Sequence, residues 1–348
     1  MKKFYLKSLL FVIPFFALYV FEQLYFSEEG DLLRVGYVAH RSNYREVFKQ
    51  PFNRPIHYTN FTDIDRTTKN KYTALIVGDS FSGGGPWSYV NYLSENDSIT
   101  ALHFDLIPYN NPLKALYGLL NGDLLKNTTF DFIILESAEK KIVHRVKAID
   151  STFTIPNNSL DSMIERSRVQ KIINNEQNDI FFSDRIIKFS LYNLLYLLKD
   201  DAYFSPAYRV ELKEKLFSNE KNELLLGEAD FGALKKNNDI EAVQNLNKVL
   251  NHLAKKCKEN GVKLIVLPGP DKLGMYYEYI VDNHHYPRPL FFEHLGKMPK
   301  DYIYVNSKQI LEKAIKHKND IYFYDDTHWS PFATKLIAEE LAEIMMSR

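Results

Sequence analysis

Two stretches, far apart in the chain, carry residues that could together perform acyl-transfer chemistry. The first is the apolar run Ala74-Leu75-Ile76-Val77, which ends in Gly78-Asp79-Ser80-Phe81-Ser82 and then Gly83, Gly84 and Gly85. The second is Tyr324-Asp325-Asp326-Thr327-His328-Trp329-Ser330-Pro331, near the C-terminus. A serine hydroxyl is a weak nucleophile until a base takes its proton. A histidine serves as that base when a carboxylate fixes its tautomer. His328 is the best placed of the 10 histidines, because Asp325 and Asp326 stand just before it. Asp326 is the first choice for the orienting carboxylate and Asp325 the alternative; spacing does not decide between them. Backbone N–H groups of Ser80 and of Gly83, Gly84 and Gly85 are candidates to face a developing oxyanion. Trp329 and Tyr276 are candidate surfaces for stacking on a sugar, and Lys272 is a candidate partner for an anionic substrate. Each motif also has a plain structural explanation. Gly-Asp-Ser after a strand is a common turn. Ser330-Pro331 is a good N-cap followed by proline at the first helical position.

The surrounding pattern shows which elements must hold these residues. Short β-rich runs bounded by glycine or proline predict strands at 73–77, 100–104, 130–136, 262–267, 301–305 and 321–324. Helical spacing follows at 87–93, 113–120, 240–260 and 332–346, with Gly261 closing the third of these. Alternating strands and helices predict an α/β fold with a doubly wound, mainly parallel sheet. Ligands in such sheets bind beyond the C-terminal ends of the strands. Ser80, 268–272 and 326–328 all follow such ends. From about 150 to 240 the texture turns Asn-rich and charged, with amphipathic pieces at 191–198 and 208–216. This predicts an inserted, mostly helical cap in a domain spanning 71–348. No repeat of fixed period is visible.

Lys2, Lys3 and Lys7 precede an uncharged run from Ser8 to Phe21, and Leu24-Tyr25-Phe26 extend it. A positive start followed by an apolar segment, with bulky residues where a cleavage site would want small ones, predicts an uncleaved signal anchor over 1–26. A cleaved signal peptide is the alternative. Either one places the rest of the chain outside the cytoplasm. The expected location is a single pass of the inner (cytoplasmic) membrane, with the catalytic domain periplasmic. Residues 27–70 read as a stalk or linker with a short strand at 33–38.

Lys+Arg and Asp+Glu both number 44, so the basic excess of a nucleic-acid protein is absent. The single cysteine, Cys257, lies in a helical pattern, where a structural thiol is the simplest account. His284-His285 and the Asp-rich turn lack the spacing of a metal site. They predict no metal, and no cofactor is implied.

Gly78-Asp79-Ser80 early and Asp326-Thr327-His328 late resemble the SGNH (GDSL-like) hydrolase superfamily. Asp326-Thr327-His328-Trp329, with Leu267-Pro268-Gly269-Pro270-Asp271-Lys272 and its trailing tyrosines, is similar to the alginate O-acetyltransferase group (AlgX/AlgJ-like). That group comprises membrane-anchored proteins of polysaccharide acetylation. The resemblance covers about 70–345 without the cap. It implies an O-acetyltransferase with Ser80 as nucleophile, His328 as base and Asp326 as orienter. It further implies a polysaccharide acceptor and an acetyl donor delivered by a membrane-bound acyltransferase partner. A carbohydrate acetylesterase is the near alternative, since only the acceptor differs. A silent glycan-binding or scaffold protein of an export complex is the alternative of another class. Two departures matter. The superfamily's Gly-x-Asn-Asp block is replaced by Leu135-Glu136-Ser137-Ala138-Glu139-Lys140, which leaves the second oxyanion donor open. The serine precedes the Asp-His pair in the chain, the reverse of the alginate enzymes, so alginate itself is not implied.

Overall fold

The computed structural model describes residues 2–25, 32, 54–83, 85–106, 110–122, 125–156, 159–166, 195, 198–200, 207–218, 222–324 and 326–347. Its centre is a six-stranded sheet. The strands are β1 (Thr59–Asn60), β2 (Asn70–Val77), β3 (Ala101–His103), β4 (Thr128–Ala138), β7 (Lys263–Gly269) and β8 (Ile303–Tyr304). They run in the order β1-β3-β2-β4-β7-β8, and every pair is parallel.

The apolar runs predict this because both faces of each central strand must be covered. In β2, Ala74 and Ile76 enter one core while Leu75 and Val77 enter the other. Ile134 and Ile265 share the first core, and Ile133 and Val266 the second. Helices Tyr89–Ser94, Ser307–Ile315 and Pro331–Met346 cover the first face. Helices Pro112–Asn121, Ile240–Glu259 and Phe291–Gly296 cover the second. Cys257 is buried on the long helix, and burial pushes its thiol up to about 12. The chain leaves β2 toward β3 on one side and returns to β4 on the other, so the strand order reverses at β2. The crevice for a ligand therefore belongs just beyond β2, where Ser80 stands.

Three expectations change. Residues 208–216 are not a helix: β5 (Ala207–Glu211) pairs antiparallel with β6 (Glu223–Gly227). The described part of the insertion thus holds a hairpin besides short helices; most of 191–198 lies outside the described residues. Residues 321–324 form no sheet strand but one side of a closed loop, with a single antiparallel bridge from Tyr322 to Trp329. β1 lies within the stretch expected to be linker, so the folded body begins before residue 70. The short strand expected at 33–38 lies outside the described residues.

Helix Lys2–Tyr25 is long and apolar enough, by length and composition, to cross a membrane. Its window Lys3–Val20 has a mean hydropathy of 1.6 and none of it is buried among the described residues. A signal sequence has the same character.

Candidate active site

β2 delivers the chain to Gly78, and the turn that follows is built on hydrogen bonds. Ser82 N–H donates to Asp79 O at 3.0 Å, which closes the turn around an exposed Ser80. Only glycine fits at position 78. A Cβ there would lie 1.9 Å from Ser82 Oγ and 2.7 Å from Glu136 Oε2. Gly85 has φ +62°, a backbone state that glycine adopts without strain. Among the described residues the Ser80 and Gly83 N–H groups make no hydrogen bond. Gly84 lies outside the described residues.

Beneath this turn is a buried polar cluster. Glu136 Oε2 accepts from Asp79 N–H and from Ser82 Oγ, both at 2.8 Å. Asp79 Oδ2 accepts from Ala138 N–H at 3.1 Å and from Arg145 at 2.6 Å. Arg145 also donates to Ser137 Oγ and to the Asn110 carbonyl. Burial, then the neighbouring Asp79 charge, raises the Glu136 carboxyl well above the ordinary value. Burial opposes ionisation of Asp79 as well. The hydrogen bond from Glu136 and the Arg145 guanidinium outweigh it, and the Asp79 carboxyl is held below its usual value.

The second stretch is a loop closed on itself. Ser330 N–H donates to Ile321 O at 3.0 Å, and Phe323 N–H to His328 O at 3.3 Å. Ser330 then caps the last helix, with Pro331 at its first position. Inside the loop, Asp326 Oδ1 accepts from His328 N–H at 2.8 Å and lies 2.5 Å from His328 Nδ1. A carboxylate at that nitrogen assigns the ring proton to Nδ1 and leaves Nε2 as the basic site. Asp325 lies outside the described residues.

The two stretches touch through Phe81. Its ring centroid is 5.4 Å from that of His328 and 4.4 Å from that of Trp329. Thus the residue after Ser80 packs directly on the imidazole, and both loops occupy one rim of the sheet.

Three residues expected at the ligand surface stand elsewhere. Lys272 is fully buried, and its Nζ donates to the Phe323 and Tyr324 carbonyls at 2.9 Å each. Trp329 is fully buried, with Nε1 donating to Tyr322 OH at 2.8 Å. Tyr276 is fully buried, and its hydroxyl accepts from Tyr322 N–H at 3.3 Å. None of the three is free to contact a substrate; together they hold the histidine loop in shape. The inserted hairpin helps, since Tyr324 OH donates to Glu223 at 2.7 Å and Asp320 Oδ1 accepts from Ser218 N–H at 2.8 Å. His284 and His285 sit in an exposed turn. Sequence patterns missed Glu136 and Arg145. The one available signal was a carboxylate inside an apolar strand.

Residues 227–348 match the family model described as the SGNH hydrolase-like domain of the acetyltransferase AlgX. The matched part includes β7, Lys272, Asp326 and His328, and begins after the serine turn, which lies outside it. It supports an acetyltransferase or esterase type of protein. No curated protein and no solved structure matches the chain.

Proposed function

We propose that this chain is an SGNH-type O-acetyltransferase with Ser80 as nucleophile, His328 as general base and Asp326 as orienter. Ser80 Oγ forms a bond to the acetyl carbonyl carbon as its proton passes to His328 Nε2. The resulting oxyanion is met by the Ser80 and Gly83 N–H groups, with Gly84 and Gly85 next in the same loop. Collapse expels the donor alcohol, which takes the proton back from His328. An acceptor hydroxyl then gives its proton to His328 and attacks the acetyl-serine; the bond from the acetyl carbon to Ser80 Oγ breaks, and Ser80 takes the proton back from His328. With water as acceptor the same steps give an esterase.

The observation that carries this is the Asp326–His328 contact at 2.5 Å, in a loop packed on the residue after Ser80. The family match over 227–348 favours acetyl as the group transferred. We assign the acceptor as a cell-envelope or extracellular polysaccharide, and the donor as an acetyl group supplied by a membrane-bound acyltransferase partner. The apolar helix supports an N-terminal anchor (1–26) ahead of a catalytic domain that includes β1 and lies outside the cytoplasm.

The test is turnover of a chromogenic acetyl ester, with trapping of the acyl-enzyme by mass spectrometry. Wild type is expected to gain one acetyl group on Ser80. Ser80→Ala and His328→Ala are expected to lose turnover. If both variants match wild type, the assignment is wrong. Transfer to added oligosaccharide in preference to water identifies the transferase; hydrolysis alone identifies the esterase. Membrane fractionation checks the anchor, with full-length protein in the pellet and a chain starting near residue 30 released.

A further inference from the structure

The cluster beneath Ser80 balances only with one extra proton. Counted as ionised carboxylates, Asp79 Oδ1 and Glu136 Oε1 are both buried without a donor. Every other oxygen of the pair is satisfied. Glu136 Oε2 accepts from Asp79 N–H and Ser82 Oγ–H, and Asp79 Oδ2 accepts from Ala138 N–H and Arg145. Ser82 spends its single proton on Glu136, so the Tyr89 hydroxyl, 2.8 Å away, donates to Ser82 Oγ. One proton on Glu136 Oε1, donated to Asp79 Oδ1, satisfies both remaining atoms. Charge agrees with this count. Arg145 supplies one positive charge, so one carboxylate leaves the buried group neutral, whereas two would leave it negative. The titratable and charged groups that face Glu136 are Asp79 across the shared proton, Arg145 behind Asp79, and Tyr89 through Ser82.

We propose that Glu136 is a positioning residue for Ser80: it grips the chain on both sides of the serine, and it does so as a carboxylic acid sharing one proton with Asp79. This rests on Ser80 being the nucleophile. Glu136 fixes the peptide N–H one residue before Ser80 and the side chain two residues after it. Loss of the proton sets two carboxylates against each other, and the turn between those holds moves. A displacement of about 1 Å costs a nucleophile about a hundredfold in rate.

Two measurements on the full chain test this. The first is the infrared difference spectrum of wild type minus Glu136→Gln at neutral pH, which is expected to show a carboxylic-acid C=O band. A carboxylate band in its place overturns the shared proton. The second is the pH profile of acetyl-ester kcat. Wild type is expected to fall at alkaline pH. Glu136→Gln, whose amide donates to Asp79 and still accepts from Asp79 N–H and Ser82, keeps kcat at neutral pH and loses that fall. Glu136→Ala is expected to lose about a hundredfold in kcat at unchanged KM. An alkaline limb identical in wild type and Glu136→Gln, or full kcat in Glu136→Ala, overturns the positioning role. If Ser80→Ala keeps wild-type turnover, the nucleophile assignment fails instead, and the infrared band still decides the shared proton.

Discussion

The turn that carries Ser80 and the loop that carries His328 meet at one rim but are held by different forces. The serine turn rests on charge. Glu136 holds the Asp79 N–H and Ser82, and Arg145 holds the Asp79 carboxylate, in a space with little access to water. The histidine loop rests on packing and on backbone carbonyls. Its Tyr322 packs edge-on against Tyr276 and accepts from Trp329 Nε1, and Lys272 grips two of its carbonyls. A serine must present one oxygen at a fixed angle, and short bonds in a low-dielectric space are stiff enough for that. An imidazole needs only a fixed ring plane and tautomer, which Asp326 and a packed loop provide. Disturbance should therefore reach the serine side through protons and the histidine side through volume.

Changes to each side sharpen or break this contrast. The largest effect is expected from Asp326→Asn, which spoils the tautomer and leaves the fold intact. Acetyl-ester kcat should drop about 10⁴-fold with an unchanged urea midpoint. A wild-type rate would remove Asp326 from its role. Gly78→Ala comes next. Its Cβ collides with Ser82 and Glu136, and a loss of about 3 kcal/mol is expected in urea unfolding. If that variant is as stable as wild type, the buried cluster has slack that its short bonds deny.

On the other side, Lys272→Met keeps the stem and removes the donor that the Phe323 and Tyr324 carbonyls share. A loss of about 2 to 3 kcal/mol is expected, with reduced kcat as the histidine loop shifts. Trp329→Phe removes one hydrogen bond and part of the contact with Phe81, for about 1 to 2 kcal/mol by thermal unfolding.

The smallest effect concerns Glu139, buried where its carboxyl accepts from the Asp271 N–H. Burial raises its carboxyl from 4.5 to about 7. The unfolded chain gives up this proton near 4.5 and the folded chain near 7. Stability therefore falls as pH rises through that window. Glu139→Gln should flatten this part of the stability profile, measured as urea midpoints on either side of the window. An unchanged slope would show that Glu139 ionises freely in the folded protein.

The central sheet was legible because strands covered on both faces must be apolar at every position. Residues 74–77, 132–135 and 264–267 have no other way to fold in a chain of alternating helices. The hairpin at 207–227 was not legible. Tyr208, Val210 and Leu212 alternate as a strand, but the polar residues around them also suit a helix, and only pairing with 223–227 decides. Residues 321–324 are β-rich and still form no sheet strand, because the chain closes back on itself, Phe323 N–H to His328 O and Ser330 N–H to Ile321 O.

By itself the sequence determined which atoms could react: a hydroxyl after a strand end, and an imidazole two residues after a carboxylate. Those follow from local order, because strand, turn and i+2 spacing are properties of neighbouring residues. Only the tertiary structure decided what holds them. Lys272 looked like a ligand for anions and is a buried brace. Glu136 looked like an interruption of a strand and lies under the serine turn. Both depend on partners between 51 and 57 residues away along the chain, Phe323 and Asp79, and burial sets the protonation of Glu136 only once those partners have closed around it.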